Sequence, residues 1–244
     1  IEYMPFIDRL SPEQKHDRLR ILEITHEAHA SHLSSTLSVV DIISAIYKAK
    51  SPSERFILSA GHSAVALYVV LERVGLLPNP NLHDLNVHPD RNPKVGIDVS
   101  TGSLGQGLPI AVGMALADRT KNVWCVSTDG ELAEGSMWES LRIASDQKLT
   151  NLRLFVNANG YGAYDPIDTK PLVERIEAFG WGVVGCDGHN LEKLWEAIKY
   201  AYSDKPTTVV CYTNVEQFPF LKGQDSHYLV MNNDQYEHAR IKLT

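Results

Sequence analysis

Long apolar runs, basic charge and paired cysteines are all scarce in this chain, and each scarcity removes a class of function. Among its 244 residues, no apolar stretch approaches a membrane span of roughly 20 residues. The longest candidate, Leu37 to Tyr47, is interrupted by Asp41 and reads as a buried helix. A formal net charge of -7 argues against broad nucleic-acid binding, which requires a basic face. Cys125, Cys186 and Cys211 each lie inside or at the end of an apolar strand-like run. Their spacing matches neither a metal site nor a redox pair, so they read as buried reduced thiols, with the cytoplasm as the expected compartment. The amino terminus carries no signal-peptide pattern, and neither internal repeats nor low-complexity segments are visible. What is present is ordinary for a globular protein: 43% hydrophobic and 22% charged residues.

Strand-like runs fall at Arg55–Leu58, Val123–Ser127, Leu152–Val156, Gly182–Cys186 and Thr207–Tyr212. Helix-like stretches fall at Pro12–His29, Ser38–Lys48, His62–Val74, Gly105–Arg119, Gly135–Lys148, Pro171–Phe179 and Leu191–Tyr202. Alternation of the two predicts an α/β fold, a mostly parallel central sheet with helices on both faces. Runs such as Val209-Val210-Cys211-Tyr212 are apolar without alternation, as strands covered on both sides should be. The expectation is one domain over 1–244, with 213–244 a C-terminal loop and tail open to motion. Two long loops, Leu77–Ser100 and Thr213–Asp234, have the length that usually marks function or disorder.

The chemistry concentrates after two of these strands. Asp129-Gly130 follows the run Val123–Ser127, and Asn159 follows Leu152–Val156, where open α/β sheets bind ligands. A carboxylate and an amide, both oxygen donors, suit Mg²⁺ or Ca²⁺ with positions left for water and phosphate. Gly130 is expected to open a helix whose free N–H groups favour an anion. Several of the ten histidines stand where turns meet helices, among them His32, His62, His88 and His227; near its working pKa each can move protons or hold hydroxyls. His26, His29 and His32 invite a zinc reading, but i, i+3, i+6 positions rotate around a helix and no fourth ligand is evident. Thr101-Gly102-Ser103-Leu104-Gly105-Gln106-Gly107 is a tight turn that lets backbone approach a ligand, and it matches neither the P-loop nor the dinucleotide fingerprint.

Taken in order, these segments resemble the amino-terminal, diphosphate-binding domain of transketolases, which are thiamine diphosphate enzymes. The likeness runs from about Arg18 to Tyr212, and more faintly to His227. It is carried by Ser31-His32, Leu37-Ser38, Asp41-Ile42, Arg55 to His62, His88-Pro89-Asp90-Arg91, Ser100 to Gly107, Asp129 to Glu139, Asn151 to Asn159 and Asp187-Gly188-His189. The resemblance implies the thiamine diphosphate-binding fold and transfer of a two-carbon ketol unit from a ketose, usually a sugar phosphate, to an aldehyde. It implies that Asp129, Asn159 and the main-chain carbonyl of Tyr161 bind the divalent ion, Mg²⁺ or alternatively Ca²⁺ or Mn²⁺. Gly130 would meet the diphosphate, Gly102 and Leu104 would border the aminopyrimidine, and His62 would contact the cofactor. His32, His62, His88 and His227 would line the reaction channel, while Glu134 would reach towards the next domain, with Glu139 extending that network. Deoxyxylulose-phosphate synthases usually lack a glutamate where Glu134 stands, and E1 dehydrogenase subunits lack this form of the glycine turn.

A usual transketolase has two further domains. The resemblance therefore implies a split enzyme in which this chain joins a companion carrying the pyrimidine-binding and C-terminal domains, as two of each. Alternatives are a truncated piece, a related enzyme of specialised metabolism with a different acceptor, or a non-catalytic cofactor-binding module. Some positions depart from the family pattern: Thr128, Ser31 and Ser34 stand where glycines are usual, Gly160-Tyr161-Gly162 is unusual, and Thr213–Phe220 lacks a Lys-Gly-Lys-Gly loop. These departures point to an altered substrate or acceptor.

Overall fold

The computed structural model describes residues 6–244. Five strands, β1 (Arg55–Leu58), β2 (Val123–Thr128), β3 (Leu152–Ala158), β4 (Gly182–Asp187) and β5 (Thr207–Tyr212), form one sheet in the order β1-β2-β3-β5-β4. All four pairings are parallel, as the alternation of elements requires. Side chains alternate between two cores, as a period of two dictates. Phe56, Leu58, Trp124, Val126, Phe155, Val209 and Cys211 join the core on one face, which is covered by α1 (Pro12–Glu27), α2 (Leu33–Ala49), α3 (Ala64–Arg73) and α7 (Leu191–Lys199). Ile57, Val123, Cys125, Leu154, Val156 and Val210 face the other, under α4 (Gly107–Ala117), α5 (Gly135–Asp146) and α6 (Leu172–Ala178). No helix among the described residues is long and apolar enough to cross a membrane.

Three differences from the sequence reading have local causes. Helix α2 begins at Leu33, well before Ser38, although Ser34-Ser35-Thr36 reads as a poor helix start. These hydroxyls find other partners: Ser34 Oγ donates to the Ser226 carbonyl at 3.1 Å, Ser35 Oγ meets His227 Nδ1 at 3.2 Å, and Thr36 Oγ1 donates to the His32 carbonyl at 2.8 Å. The segment 213–244, read as loop and tail, contains a turn at Gln224–His227 and a further helix, α8 (Asn233–Leu243). A capping box between Asn232 and Gln235 starts α8. Ala239 and Leu243 bury their side chains in the α1 core, and His26 of α1 stacks on Tyr236 at 4.2 Å. Its surface is polar enough to hide this narrow stripe from a periodicity argument. Third, the helix that Gly130 opens is only a four-residue 3-10 helix, Gly130–Ala133, and α5 starts separately at Gly135.

A buried charge cluster fixes α1 and α2 against the end of the sheet. Arg18 is wholly buried and grips the Asp41 carboxylate with two N–H groups, at 3.0 and 2.6 Å. Asp41 also meets His189 Nδ1 at 2.7 Å, and the Asn214 N–H donates to His189 Nε2 at 3.0 Å. Burial alone would raise the Asp41 pKa, but Arg18 and His189 outweigh it and hold the carboxyl at about 2. Arg18, Asp41 and His189 lie far apart in sequence and meet because the loop after β4 folds over both helices.

Candidate functional site

The carboxyl ends of β1, β2 and β3 open into a recess of about 160 Å³. Its floor is the Thr128–Gly130 turn after β2 and the Asn159–Ala163 loop after β3. Gly102 and Leu104 of the glycine turn form one wall, and His32, Ser34 and Ser35 at the start of α2 form another. The segment from Gly223 to Tyr228 closes the top.

Four segments each bring one histidine to this recess. His32 lies 4.8 Å from His227, 5.6 Å from His62 and 6.4 Å from His88, ring centre to ring centre. His32 sits at φ 65°, left-handed backbone that costs a non-glycine residue about 1 kcal/mol or more. Its N–H donates to the His227 carbonyl at 3.1 Å, which ties the two segments together. Ser34 Oγ donates to the Ser226 carbonyl at 3.1 Å, and Ser35 Oγ meets His227 Nδ1 at 3.2 Å. Ser31 Oγ meets His32 Nδ1 at 3.1 Å. Thus Ser31 and Ser34, two departures from the glycine pattern, help fix the histidines. Burial lowers the pKa of His32 to about 4 and of His62 to about 3, with the neighbouring histidines adding repulsion; burial also lowers that of His227. All three shifts favour the neutral ring, which carries one N–H donor and one lone-pair acceptor.

Asp129 is 1% exposed and accepts from the Gly160 N–H at 2.6 Å and the Gly130 N–H at 3.0 Å. It makes no ion pair among the described residues, and burial pushes its carboxyl up to about 7 despite these bonds. The Tyr161 carbonyl comes close to the same turn: a Cβ on Gly130 would stand 3.5 Å from it and 3.3 Å from Gly162 Cα. Asn159 Oδ1 accepts from the Tyr161 N–H at 2.9 Å. An all-oxygen donor set around a buried carboxylate lacking a counter-charge fits a hard divalent cation. The donors are an acid, an amide and a carbonyl, and among the described residues no group of three or more His, Cys, Asp or Glu side chains is placed to hold a metal ion. That includes His26, His29 and His32: His26 turns to α8 while His32 faces the recess.

The sequence reading missed the residue that joins these loops. Glu131 is fully buried; its Oε1 accepts from Ser59 Oγ at 2.7 Å and the Gly105 N–H at 3.0 Å, and its Oε2 from the Thr128 N–H at 3.2 Å. One side chain thereby links the ends of β1 and β2 to the glycine turn. Ser59 Oγ in turn accepts from the Gly107 N–H at 3.1 Å, so close that a Cβ on Gly107 would lie 2.4 Å from Ser59 Cβ. Thr128 turns its hydroxyl to the Glu131 N–H at 3.2 Å, though it still borders the recess. Glu134 does not line the recess; it is exposed beside Gly105, and Glu139 pairs with Arg142 at 3.2 Å. Tyr228, which packs against His227 at 4.6 Å, lines the recess without having been singled out. Only its position next to a candidate histidine could have flagged it.

Comparison with known proteins agrees with this geometry. The family model described as the transketolase thiamine diphosphate binding domain matches residues 13–244. Human transketolase is 37% identical over 226 residues, covering 81% of this chain and 36% of that protein. The protein named 6-deoxy-6-sulfo-D-fructose transketolase subunit SqwG, from a Clostridium species, is 34% identical and covers 91% of each chain. The crystal structure of Campylobacter jejuni transketolase superposes with a TM-score of 0.83 at 23% identity, covering 95% of this chain and 42% of that one, a likeness of fold. The chain thus spans little more than a third of the mammalian transketolases it matches and nearly all of the Clostridium subunit. It belongs to the transketolase family, in the part that forms the thiamine diphosphate-binding domain.

Proposed function

We propose that this chain is the diphosphate-binding subunit of a two-component transketolase, moving a two-carbon ketol unit from a ketose donor to an aldehyde acceptor. The observation that carries this reading is the gathering of His32, His62, His88 and His227 over the loops bearing Asp129, Gly130 and Asn159. Asp129, Asn159 and the Tyr161 carbonyl would hold Mg²⁺, a role supported by the uncompensated buried carboxylate. When bound, thiamine diphosphate supplies the nucleophilic carbon and the electron sink for carbon–carbon bond cleavage. The Gly130 turn would meet the diphosphate, Gly102 and Leu104 would flank the aminopyrimidine, and His62 would contact the cofactor. The neutral histidines would accept hydrogen bonds from the sugar hydroxyls and pass their protons on, starting uncharged because burial disfavours the imidazolium.

Glu134, exposed at the rim, would face a companion chain carrying the pyrimidine-binding and C-terminal domains, in an assembly of two plus two. The free thiols support a reducing compartment such as the cytoplasm. A sulfonated ketose is the second reading of the donor, favoured by the near full-length match to the Clostridium subunit. The test is turnover of xylulose 5-phosphate, fructose 6-phosphate and 6-deoxy-6-sulfofructose by this chain with and without the companion. Turnover only with both chains supports the split enzyme, and full activity from this chain alone refutes it. The preferred donor then separates the phosphate from the sulfonate reading.

A further inference from the structure

The three cysteines have no redox spacing in sequence, yet the sheet brings two of them together. Cys186 on β4 and Cys211 on β5 are direct register partners in a parallel pair. Both side chains turn to the same core, that of α1, α2 and α7. Adjacent strands run about 4.8 Å apart, inside the Cα separation of about 4.4–6.8 Å that a disulfide bridges. Strand β4 is the edge of the sheet, so one of the two backbones can shift to close the Cβ gap without disturbing a second neighbour. Cys125, fully buried on the opposite face of the sheet, takes no part.

We propose that Cys186 and Cys211 form a reversible thiol–disulfide pair that closes in the folded protein on exposure to a small disulfide oxidant such as glutathione disulfide. The two thiols differ in ways that assign their order. Cys186 is half-buried at the sheet edge, whereas Cys211 is completely buried. The neighbouring Cys211 thiol lowers the pKa of Cys186, while burial raises that of Cys211, whose Sγ donates to the Val209 carbonyl at 3.8 Å. Cys186, as thiolate, attacks one sulfur of the oxidant and expels the first small thiol. Cys211 then gives up its proton and attacks the Cys186 sulfur of the mixed disulfide, expelling the second. One protein S–S bond forms, the oxidant's S–S bond breaks, and two electrons pass from the protein sulfurs to the two released thiols. The site lies directly before the Asp187–His189 loop that holds Asp41, and two residues before Thr213, which hydrogen-bonds Asn157 of β3.

The experiment incubates the folded chain with glutathione disulfide and maps its peptides by mass spectrometry after alkylation of free thiols. The expected product is a Cys186–Cys211 cross-link, free thiols falling from three to one, and full recovery of three with dithiothreitol. In C211S, glutathione should remain attached to Cys186; in C186S, the folded chain should take up no glutathione. Circular dichroism of each sample establishes that the fold persists during the reaction. Stable glutathionylation of Cys186 in the wild type, absence of any reaction, or a cross-link that forms only in urea would each overturn the proposal.

Discussion

Asp129→Asn should make the cofactor-free chain more stable while removing its capacity to hold a divalent ion. The Asp129 carboxyl is almost fully buried, meets no cation among the described residues, and is raised from 3.8 to about 7 by that burial. Between these values the folded chain keeps a proton that the unfolded chain has released, so stability falls as pH rises through that window and levels off above about 7. At about 1.36 kcal/mol per unit, ionisation of this one group costs the fold about 4 kcal/mol at pH 8. Asparagine removes that cost. It also turns an NH₂ group towards one of the N–H donors of Gly130 or Gly160, which returns about 1–3 kcal/mol of lost hydrogen bonding. The net expectation is about 2 kcal/mol of stabilisation at pH 8, shrinking to nothing or reversing by about pH 5. Urea denaturation in EDTA across this pH range, with unchanged m-values, measures it. A variant no more stable than wild type at pH 8 would refute the idea that Asp129 is a carboxylate waiting for a counter-charge.

Other expectations follow from the same geometry. Asp41→Asn strands the fully buried Arg18 and should cost about 3–5 kcal/mol, whereas Arg18→Met with Asp41→Leu should restore much of it; equal losses in the single and double variants would contradict the pairing. Because the folded pKa of Asp41 is depressed, its contribution is present above pH 3.8 and fades as pH falls through about 2, a slope the Asp41→Asn chain should lack. Burial depresses His62 to about 3 and His32 to about 4, below the usual 6.5, so stability holds above 6.5 and is lost on acidification, by about 2 kcal/mol at pH 5 for His62 and by less for the solvent-screened His32. NMR titration of the imidazole carbons checks this directly, and either ring charging above pH 6 would count against a dry, crowded recess.

Where the chain signals its structure, it does so through strong local chemistry. The five strands were legible because each is a short, nearly unbroken apolar run, and the structure extends them by no more than two residues at one end. Asp129, Asn159 and the glycine turn were legible because strand ends in an open sheet leave few places for ligands. The residues that escaped notice act at a distance in sequence. Glu131 reads as an ordinary acid in a turn, and only the fold shows it bonding to Ser59, Gly105 and Thr128 at once. Cys186 and Cys211 become neighbours only through parallel register. Helix α8 carries too few apolar residues to announce itself and depends on its capping box and on α1. His227 lay at the faint end of the resemblance, yet Ser35 and the His32 N–H hold it beside the other three rings.

The central claim is that the histidine-lined recess over Asp129 and Asn159 binds metal-bridged thiamine diphosphate. Calorimetric titration of thiamine diphosphate into this chain assembled with its companion, in Mg²⁺ and again in EDTA, tests it most directly. Saturable binding that requires the metal, and that weakens at least about tenfold (about 1.4 kcal/mol) in Asp129→Asn and in Asn159→Ala, is the predicted result. Binding that is indifferent to EDTA, or unchanged in both variants, would contradict it.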